Sequence, residues 1–330
     1  MSKPSILISI LNWNTAKLTL ACVTSILNVR AATPGTIKIV VIDNGSDAAD
    51  IAELAERLRD TDVCLHREPL NLGFTGGHNI AIQMAQQQNF DFIWLVNSDS
   101  LAEQGTLLSL LAVMDGDEQC GAVSPLIMKM HDPATADDCG GFHDWQRRET
   151  IRAHSEPRYR ELMAKFPSNA WIPGTAILFR VSALRETGPL DNRLFAYYDD
   201  DDICARLAAA GWICRFDYHS KIRHVVVHDI TDRKPYFFYL MQRNYLIFWY
   251  SNTPTKFRKF LWLKLLSQSF YEINRLYLKN DIKQAEARML GVGDFIERRY
   301  GRPDLGRSIP LWMRLARRLA QLQQHRALHR

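Results

Sequence analysis

The chain has 330 residues, of which 47% are hydrophobic and 23% are charged. This composition is typical of a globular protein with one large α/β domain, alone or with an extension, and it excludes a disordered chain. The net charge of +5 is unevenly spread, because six arginines and no acidic residue follow Asp304, which leaves the rest slightly acidic. A slightly acidic body argues against a nucleic-acid enzyme or binding protein.

The first hundred residues alternate between apolar strands and amphipathic helices, which is typical of βαβ units and predicts a mainly parallel sheet. The predicted elements, strands and helices in turn, are 5–11, 16–27, 36–42, 48–59, 62–66, 77–87 and 90–96. Ligands of such sheets bind beyond the carboxyl ends of the strands. We therefore expect four polar segments that follow strands to meet at one edge: 12–14, 43–46, 71–77 and 97–100.

The rest of the chain is predicted to change from irregular to helical structure. Residues 116–170 are rich in Gly, Asp and His and predict loops and short strands. The further predicted elements are strands at 171–180, 212–216 and 221–227 and helices at 181–186 and 202–210. From Tyr236 onward the apolar residues follow helical spacing.

No segment reaches the roughly 18 uninterrupted apolar residues that a membrane span needs. The best candidate, 236–250, is broken by Gln242, Arg243 and Asn244. The N-terminal run 5–11 lacks the small-residue cleavage site of a secretory signal. The sequence thus predicts a cytoplasmic protein.

Asp99 follows the apolar run 92–96 in the segment Asn97-Ser98-Asp99. A carboxylate held directly after a core strand suits a hard divalent cation, which prefers oxygen ligands. The alternative is that Asp99 caps a helix or a turn. His224, near His228, ends a predicted strand, where a lone histidine is more often structural than a metal ligand.

Four consecutive aspartates, Asp199–Asp202, follow the aromatic stretch 195–198. Adjacent carboxylates repel one another and raise each other's pKa. A general base at neutral pH needs a pKa raised in this direction. Acidic residues also favour a helix N-terminus through its dipole, and both interpretations can hold for different members of the run.

The segment 71–79, Asn-Leu-Gly-Phe-Thr-Gly-Gly-His-Asn, is a glycine-rich turn that enters a helix. Backbone amides at such a helix start suit a phosphate. The segment matches neither a Walker loop nor a G-x-G-x-x-G fingerprint. Taken alone, it therefore indicates a phosphate site only weakly.

Together, the order and spacing of these segments resemble the inverting family 2 glycosyltransferases of the GT-A fold, especially the bacterial rhamnosyltransferase-like members. The resemblance extends over roughly residues 5–250. Its carriers are Ile-Ser-Ile-Leu-Asn-Trp-Asn (8–14), Val-Ile-Asp-Asn-Gly-Ser (41–46), the turn 71–79, Leu-Val-Asn-Ser-Asp-Ser (95–100), Pro-Gly-Thr-Ala-Ile-Leu-Phe-Arg (173–180), Gly-Pro-Leu-Asp (188–191), Phe-Ala-Tyr-Tyr-Asp-Asp-Asp-Asp-Ile (195–203), His224 and Arg243–Asn244.

The resemblance implies an α/β GT-A fold over 1–235, with a nucleotide-binding half of about 1–115 and an acceptor and catalytic half of about 116–235, and a C-terminal helical region over 236–330. It makes Asp200 the catalytic base and assigns a divalent metal, manganese or magnesium, to Asp99 and His224. The residues expected to line the nucleotide-sugar are Asn12, Asn14, Asp43, Gly73, Gly77, Asn79, Asn97, Asp99, Gly174 and Arg243.

Two departures from the family pattern affect the site. The first acid of the family's DxD-type motif is Asn97 here, so Asp99 is the one carboxylate of that motif. The glutamate that usually precedes the base is Asp199. Since four aspartates run together, the base can also be Asp199 or Asp201.

The implied activity is inverting transfer of a sugar, with rhamnose as one candidate, from a UDP- or dTDP-sugar to a hydroxyl of a glycan or lipid-linked glycan in cell-surface polysaccharide synthesis. The oligomeric state stays open. A sugar nucleotidyltransferase is an alternative, but it should carry a basic glycine-rich loop near the N-terminus, whereas 11–18 holds one lysine and no glycine. A non-catalytic sugar- or nucleotide-binding module is another, and it leaves Asp199–Asp202 unexplained.

The tail, 305–330, combines its six arginines with apolar residues spaced as one helical face: Trp312, Leu315, Leu319 and Leu322. A basic amphipathic helix of this kind can lie in the headgroup region of an anionic membrane. The tail would then place the protein peripherally on the cytoplasmic face of the inner membrane. The alternative is that this face packs on the protein body or in a dimer.

Overall fold

The computed structural model describes residues 3–225 and 233–328, with the side chains of 133 and 323–328 excepted. His228 lies outside the described residues. The chain divides into two compact units. The first unit comprises Met1–Asp191 and Asp199–Val226, and the second comprises Asn192–Tyr198 and Val227–Arg330.

The first unit is an α/β structure. Its strands are β1 (Ser5–Asn12), β2 (Thr36–Asn44), β3 (Cys64–Glu68), β4 (Phe92–Asn97), β5 (Ser100–Ala102), β6 (Cys120–Lys129), β7 (Asp132–Asp138), β8 (Gly141–Asp144), β9 (Glu149–Arg152), β10 (Ala170–Trp171), β11 (Ala176–Arg180) and β12 (Ile213–His224). Its helices are α1 (Ala16–Ala31), α2 (Ala48–Leu58), α3 (Gly73–Gln87), α4 (Thr106–Gly116), α5 (Glu156–Lys165), α6 (Val181–Thr187) and α7 (Asp199–Ala209).

The main sheet has the strand order β3-β2-β1-β4-β11-β6-β12-β5, and β7 pairs with β6. Strands β3, β2, β1 and β4 are parallel, as predicted for the first hundred residues. Strand β11 is antiparallel to both of its neighbours, and β12 runs parallel to β6. The carboxyl ends of β1, β2 and β4 therefore meet at one edge, and β11 starts there.

Both faces of this sheet are buried, which explains its continuous apolar strands. Alternate residues of β1 point to opposite faces: Ile6, Ile8 and Ile10 belong to the core that includes α1, and Leu7 to the core that includes α3. Helix α3 lies unusually close to β1, because a Cβ at Gly77 would come within 2.3 Å of Leu11 Cδ1. Gly77 therefore permits the packing of α3 on the sheet.

The prediction of loops and short strands over 116–170 was wrong in two places. Strand β6 has ten residues and occupies the middle of the sheet, and α5 is a ten-residue helix. The two strands predicted after 212 form one strand, β12, with a register irregularity between Asp217 and Lys221. Helix α7 begins at Asp199, so the whole acidic run lies in its first turn.

The second unit is helical in its described residues. It contains α8 (Pro235–Asn252), α9 (Leu261–Leu278), α10 (Ile282–Ile296) and α11 (Leu311–Leu328). Helices α8 and α10 pack closely, since a Cβ at Gly291 would lie 2.6 Å from the carbonyl oxygen of Tyr239. Among the described helices, none has the length and apolar character needed to cross a bilayer.

Candidate functional site

Asn12, the last residue of β1, stabilises the edge of the sheet through hydrogen bonds. Its side chain is fully buried, and Nδ2 donates to Asp43 Oδ1 at 3.0 Å and to Asp50 Oδ2 at 2.7 Å. Its Oδ1 accepts a hydrogen bond from Thr19. Asn12 thus fixes the carboxylate of Asp43, which is 3% exposed at the end of β2.

Asn14 joins the loops that follow β1 and β2. It adopts a left-handed backbone with φ 55°. Its N–H donates to Ser46 Oγ at 2.9 Å, and its Oδ1 accepts from the N–H of Asp47 at 2.8 Å. The structure therefore brings Asn12, Asn14 and Asp43 together at the predicted edge.

The glycine-rich turn lies beside them at the start of α3. Gly73 has φ +78°, donates its N–H to Asn71 Oδ1 at 2.8 Å, and accepts at its carbonyl from Asn44 Nδ2 at 3.0 Å. Asn79 exchanges two hydrogen bonds, of 2.8 and 2.9 Å, with the backbone of Leu190. Asn79 therefore holds the Gly188–Asp191 segment in place.

A carboxylate and an imidazole lie side by side after β4. Strand β12 pairs with β5, which places His224 opposite Ser100. The N–H of Val225 donates to the carbonyl of Asp99 at 3.2 Å. His224 Nε2 consequently lies 3.3 Å from Asp99 Oδ1. The other ring nitrogen, Nδ1, is 3.8 Å from Oδ2 of Asp137, an acid that sequence reasoning missed.

The electrostatics here favour positive charge. Burial lowers the pKa of His224, but the carboxylates of Asp137 and Asp99 outweigh it and raise the pKa to about 9. The same two carboxylates would attract a divalent metal, which would have to displace the proton of the His224 imidazole in order to be bound by it. Within the described ranges, no group of three or more His, Cys, Asp or Glu side chains is arranged to hold a metal. Magnesium is usually bound through one or two carboxylates, completed by substrate phosphate and water, so Asp99 fits that ion.

Asp200 is held by backbone donors at the start of α7. Its Oδ2 accepts from the N–H of Gly174 and its Oδ1 from the N–H of Asp201, both at 2.9 Å. Next to Gly174, the carbonyl of Thr175 accepts from the N–H of Asn97 at 3.0 Å. This hydrogen bond connects the Asp200 environment to the end of β4, where the Asn97–Asp99 segment begins.

Neighbouring contacts distinguish the four aspartates. Asp201 Oδ1 accepts from His143 Nε2 at 2.8 Å, and Asp202 Oδ2 from Arg206 Nε at 2.7 Å. Asp199, Asp201 and Asp202 are all buried, whereas Asp200 is only half-buried. Asp200 is therefore the most exposed carboxylate of the run.

The pKa of Asp200 is raised well above its usual range. Burial is the largest cause, and the charges of Asp201 and Asp199 add to it. The N–H donors of Gly174 and Asp201 oppose the shift. Asp200 therefore combines a fixed orientation with a high affinity for protons.

Arg243 belongs to the second unit. Its buried guanidinium donates to the carbonyls of Arg193 and Leu194, both at 3.0 Å, and of Gly301 at 2.7 Å. Asn244 Nδ2 donates to the carbonyls of Leu194, Ala196 and Tyr197 at 2.8 to 2.9 Å. Both side chains thus hold the turn that leads by chain into Asp199.

Comparisons with known proteins identify the family of the chain. The family profile described as "Glycosyltransferase like family 2" matches residues 4–244. The chain is 27% identical over 227 residues to the N-acetylglucosaminyl-diphospho-decaprenol L-rhamnosyltransferase of Mycobacterium tuberculosis, covering 62% of this chain and 71% of that protein. It is 29% identical over 177 residues to the galactofuranosyltransferase GlfT1 of the same organism, covering 52% of this chain and 55% of that protein.

Among solved structures, the mannosyltransferase PcManGT from Pyrobaculum calidifontis, in complex with GDP-Man and Mn2+, superposes with a TM-score of 0.54 at 16% identity. The match covers 89% of this chain and 76% of that one, and at this identity it shows the fold alone. The predicted α/β glycosyltransferase fold is confirmed. Since the profile match spans most of its length, the chain belongs to glycosyltransferase family 2 and has the GT-A fold.

Proposed function

We propose that the protein is a metal-dependent, inverting glycosyltransferase in which Asp200 is the catalytic base. The observation that carries this proposal is the state of Asp200: two backbone N–H groups fix its carboxylate, and burial and neighbouring charges raise its pKa. A base with a raised pKa accepts a proton from a hydroxyl more readily. Asp201 and Asp202, which are paired with His143 and Arg206, serve the structure of α7.

The proposed reaction is a single displacement. Asp200 takes the proton of an acceptor hydroxyl as that oxygen bonds to the anomeric carbon of the donor sugar. The bond from this carbon to the diphosphate oxygen breaks with its electron pair, and the nucleoside diphosphate departs. One displacement inverts the configuration at the anomeric carbon.

Asp99 and His224 are proposed to hold manganese or magnesium. A divalent ion there would neutralise charge on the departing diphosphate. The carboxylate and imidazole, 3.3 Å apart, have the chemistry of such ligands, and PcManGT was solved with Mn2+. Asn12, Asn14, Asp43 and the start of α3 are proposed to shape the nucleotide side of the same edge.

The proposed substrates are based on the reactions for which the relatives are named. The mycobacterial relatives are named for transfer of rhamnose to a decaprenyl-diphosphate-linked sugar and for transfer of galactofuranose. We therefore propose a UDP- or dTDP-sugar donor, with rhamnose as the first candidate, and a lipid-linked glycan acceptor in cell-surface polysaccharide synthesis.

A donor screen tests this function. Full-length protein is incubated with UDP-, dTDP- and GDP-sugars and with manganese or magnesium, and release of nucleoside diphosphate is measured. We expect hydrolysis of one donor class, loss of activity with excess chelator, and recovery when metal is restored. Full activity in excess chelator would contradict the proposed metal dependence. Formation of a nucleotide-sugar from a nucleoside triphosphate and a sugar phosphate would indicate a nucleotidyltransferase. Absence of metal-linked nucleotide binding in calorimetry indicates a non-catalytic module.

We also propose that α11 binds an anionic membrane surface. Its predicted apolar face is exposed: Trp312 by 40%, Leu315 by 51%, Leu319 by 63% and Leu322 by 59%. The helix instead packs through Met313, which is fully buried, and Arg317, whose guanidinium lies 4.3 Å from the ring centroid of Tyr277. Exposed Arg314 and Arg318 flank the apolar face, as charge complementarity to anionic lipid requires.

A further inference from the structure

A pocket in the second unit is lined by aromatic and hydrogen-bonding side chains that the proposed chemistry does not use. It has a volume of about 270 Å³ and lies among α8, α9 and α10 and the residue that precedes α7. The lining residues are Tyr198, Met241, Gln242, Tyr245, Gln268, Ser269, Glu272 and Arg288. This volume is slightly below the roughly 300–1,000 Å³ of small-molecule sites, which suits a single ring.

Three polar side chains that line the pocket, Gln242, Ser269 and Arg288, are joined by hydrogen bonds. Gln242 and Ser269 are 2% and 1% exposed, and Gln242 Nε2 donates to Ser269 Oγ at 2.7 Å. Arg288 Nη1 donates to Gln242 Oε1 at 3.0 Å. These contacts fix the guanidinium of Arg288 at the pocket before any ligand arrives.

The protein uses only part of the guanidinium of Arg288. Within the described part of the chain the group makes one hydrogen bond, through Nη1 to Gln242. Its Nε lacks a partner but is buried away from water, so a ligand cannot reach that atom. A ligand oxygen in the pocket would therefore meet the other terminal nitrogen, Nη2.

The remaining lining indicates which ligand fits. Two tyrosine rings, Tyr198 and Tyr245, meet at 68° with centroids 6.5 Å apart and give the pocket an aromatic corner. At the rim, Gln268 Nε2 donates to Glu272 Oε1 at 3.2 Å. The one cation, Arg288, and the one anion, Glu272, leave the lining neutral. Aromatic faces beside mixed donors and acceptors, without net charge, suit a neutral polyhydroxylated ring better than a phosphate.

We propose that this pocket is an acceptor subsite that binds one neutral sugar ring of the acceptor glycan. The inference rests on the proposed function and names part of its substrate. Tyr198 supports it independently, because this residue lines the pocket and directly precedes Asp199 and Asp200 in the chain. The guanidinium of Arg288 donates through Nη2 to a ring or hydroxyl oxygen, and the tyrosines contact the apolar face of the sugar.

The test uses the full-length protein, methyl glycosides of common neutral hexoses, deoxyhexoses and N-acetylhexosamines as probes, and two variants. Saturation-transfer NMR measures glycoside binding without donor. Arg288→Lys keeps the positive charge and removes the planar guanidinium with its Nη2 donor, and Tyr245→Ala removes one aromatic wall. We expect at least one glycoside to bind and each variant to weaken it by roughly tenfold, the value of one such donor or contact. The matched control is Lys283→Met, an exposed cation on the same helix, with unchanged affinity.

Steady-state kinetics gives the second readout. With the donor identified in the screen, Arg288→Lys and Tyr245→Ala should raise the KM for the acceptor glycoside while the KM for the donor stays constant. Glycoside binding that is equal in wild type and both variants, or a change confined to the donor KM, overturns the subsite. Donor hydrolysis is measured separately, so its absence contradicts the proposed function, whereas normal hydrolysis with no glycoside binding contradicts only the subsite.

Discussion

At position 200 a carboxylate lies where its negative charge is unfavourable, between Asp199 and Asp201 and partly removed from water. The backbone N–H groups of Gly174 and Asp201 orient it without neutralising it. A cationic partner would have lowered its pKa and weakened it as a base, as an arginine does for Asp117, which is paired with Arg215. The pKa of Asp200 is thus raised because its neighbours within the described part of the chain are carboxylates and neutral N–H groups and include no cationic partner.

Replacing Asp200 tests this role directly. Asp200→Asn keeps the shape and removes the proton acceptor, so we expect turnover to fall by roughly two or more orders of magnitude with donor binding retained. Turnover is measured kinetically and donor affinity by calorimetry. Asp201→Asn serves as a comparison, because its contact with His143 predicts mainly a loss of stability. Near-normal turnover in Asp200→Asn together with an inactive Asp199→Asn would assign the base to Asp199.

The same substitution should change how the stability of the folded protein depends on pH. Because the folded-state pKa of Asp200 lies above the ordinary 3.8, the folded state binds more protons than the unfolded state between these two pKa values. Stability therefore falls as the pH rises through the folded-state pKa. Asparagine does not titrate and also loses one accepted hydrogen bond, so we expect the Tm of Asp200→Asn relative to wild type to rise as the pH is raised from 4 to neutral. A difference that does not depend on pH, measured by scanning calorimetry, would contradict the raised pKa.

Among the elements, the parallel half of the sheet was predictable and the central part was not. Strands β1, β2 and β4 have continuous apolar runs, which local pattern identifies. Strand β6 carries Gly121 and Pro125, which locally indicate a break. Pairing with β11 and β12 on both sides overrides that signal, and Pro125 lies opposite Asp217, where the register of β12 is irregular.

The same limit applies within the site. The resemblance proposes Asp99, Asp200 and His224 because their motifs are local. The contacts of His143 with Asp201, 58 residues later, and of Asp137, on the irregular strand β7, with His224 join distant parts of the chain, so no short pattern contains both partners. The polar contacts of Asn12 and Arg243 likewise become visible only when distant loops are brought together.

The turn before α7 is a strained element held by the side chains of Arg243 and Asn244. Phe195, Tyr197 and Tyr198 have φ of 66°, 69° and 64°, a left-handed region that costs non-glycine residues about 1–3 kcal/mol each. Asn244 compensates by donating to three carbonyls of this turn. Because the turn continues directly into Asp199, its relaxation should displace the residues that follow it.

We therefore expect Asn244→Ala to lower kcat by roughly tenfold or more, since small displacements of a catalytic group are costly, while the KM for the donor changes little. Circular dichroism should show retained helical content. The matched control is Asn252→Ala on the same helix, whose Nδ2 donates to the Phe248 carbonyl. An Asn244→Ala protein with the kinetics of this control would show that the turn keeps its conformation without Asn244.

For the whole molecule, the basic charge of the C-terminal tail and the exposed apolar face of α11 both favour binding to an anionic membrane surface. A lipid-linked acceptor presents its reacting hydroxyl near a membrane, so a protein held there encounters it more often. Arg314 and Arg318 would each contribute about 1 kcal/mol on an anionic surface, and the apolar face would enter the headgroup region. The competing arrangement is a dimer formed through the same face, which would double the mass of the protein in solution.

Vesicle sedimentation distinguishes the two arrangements. Wild-type protein should pellet with phosphatidylglycerol vesicles and be released at high salt, because salt screens the arginines. The triple variant Leu315→Asn, Leu319→Asn, Leu322→Asn changes only exposed residues and leaves Met313 in place, so it should remain folded and stay in the supernatant. Leu108→Asn, a leucine 48% exposed on α4, is the matched control and should pellet like wild type. If wild type ignores the vesicles, or light scattering shows a dimer that the triple variant converts to a monomer, the face of α11 is a protein interface and not a membrane-binding surface.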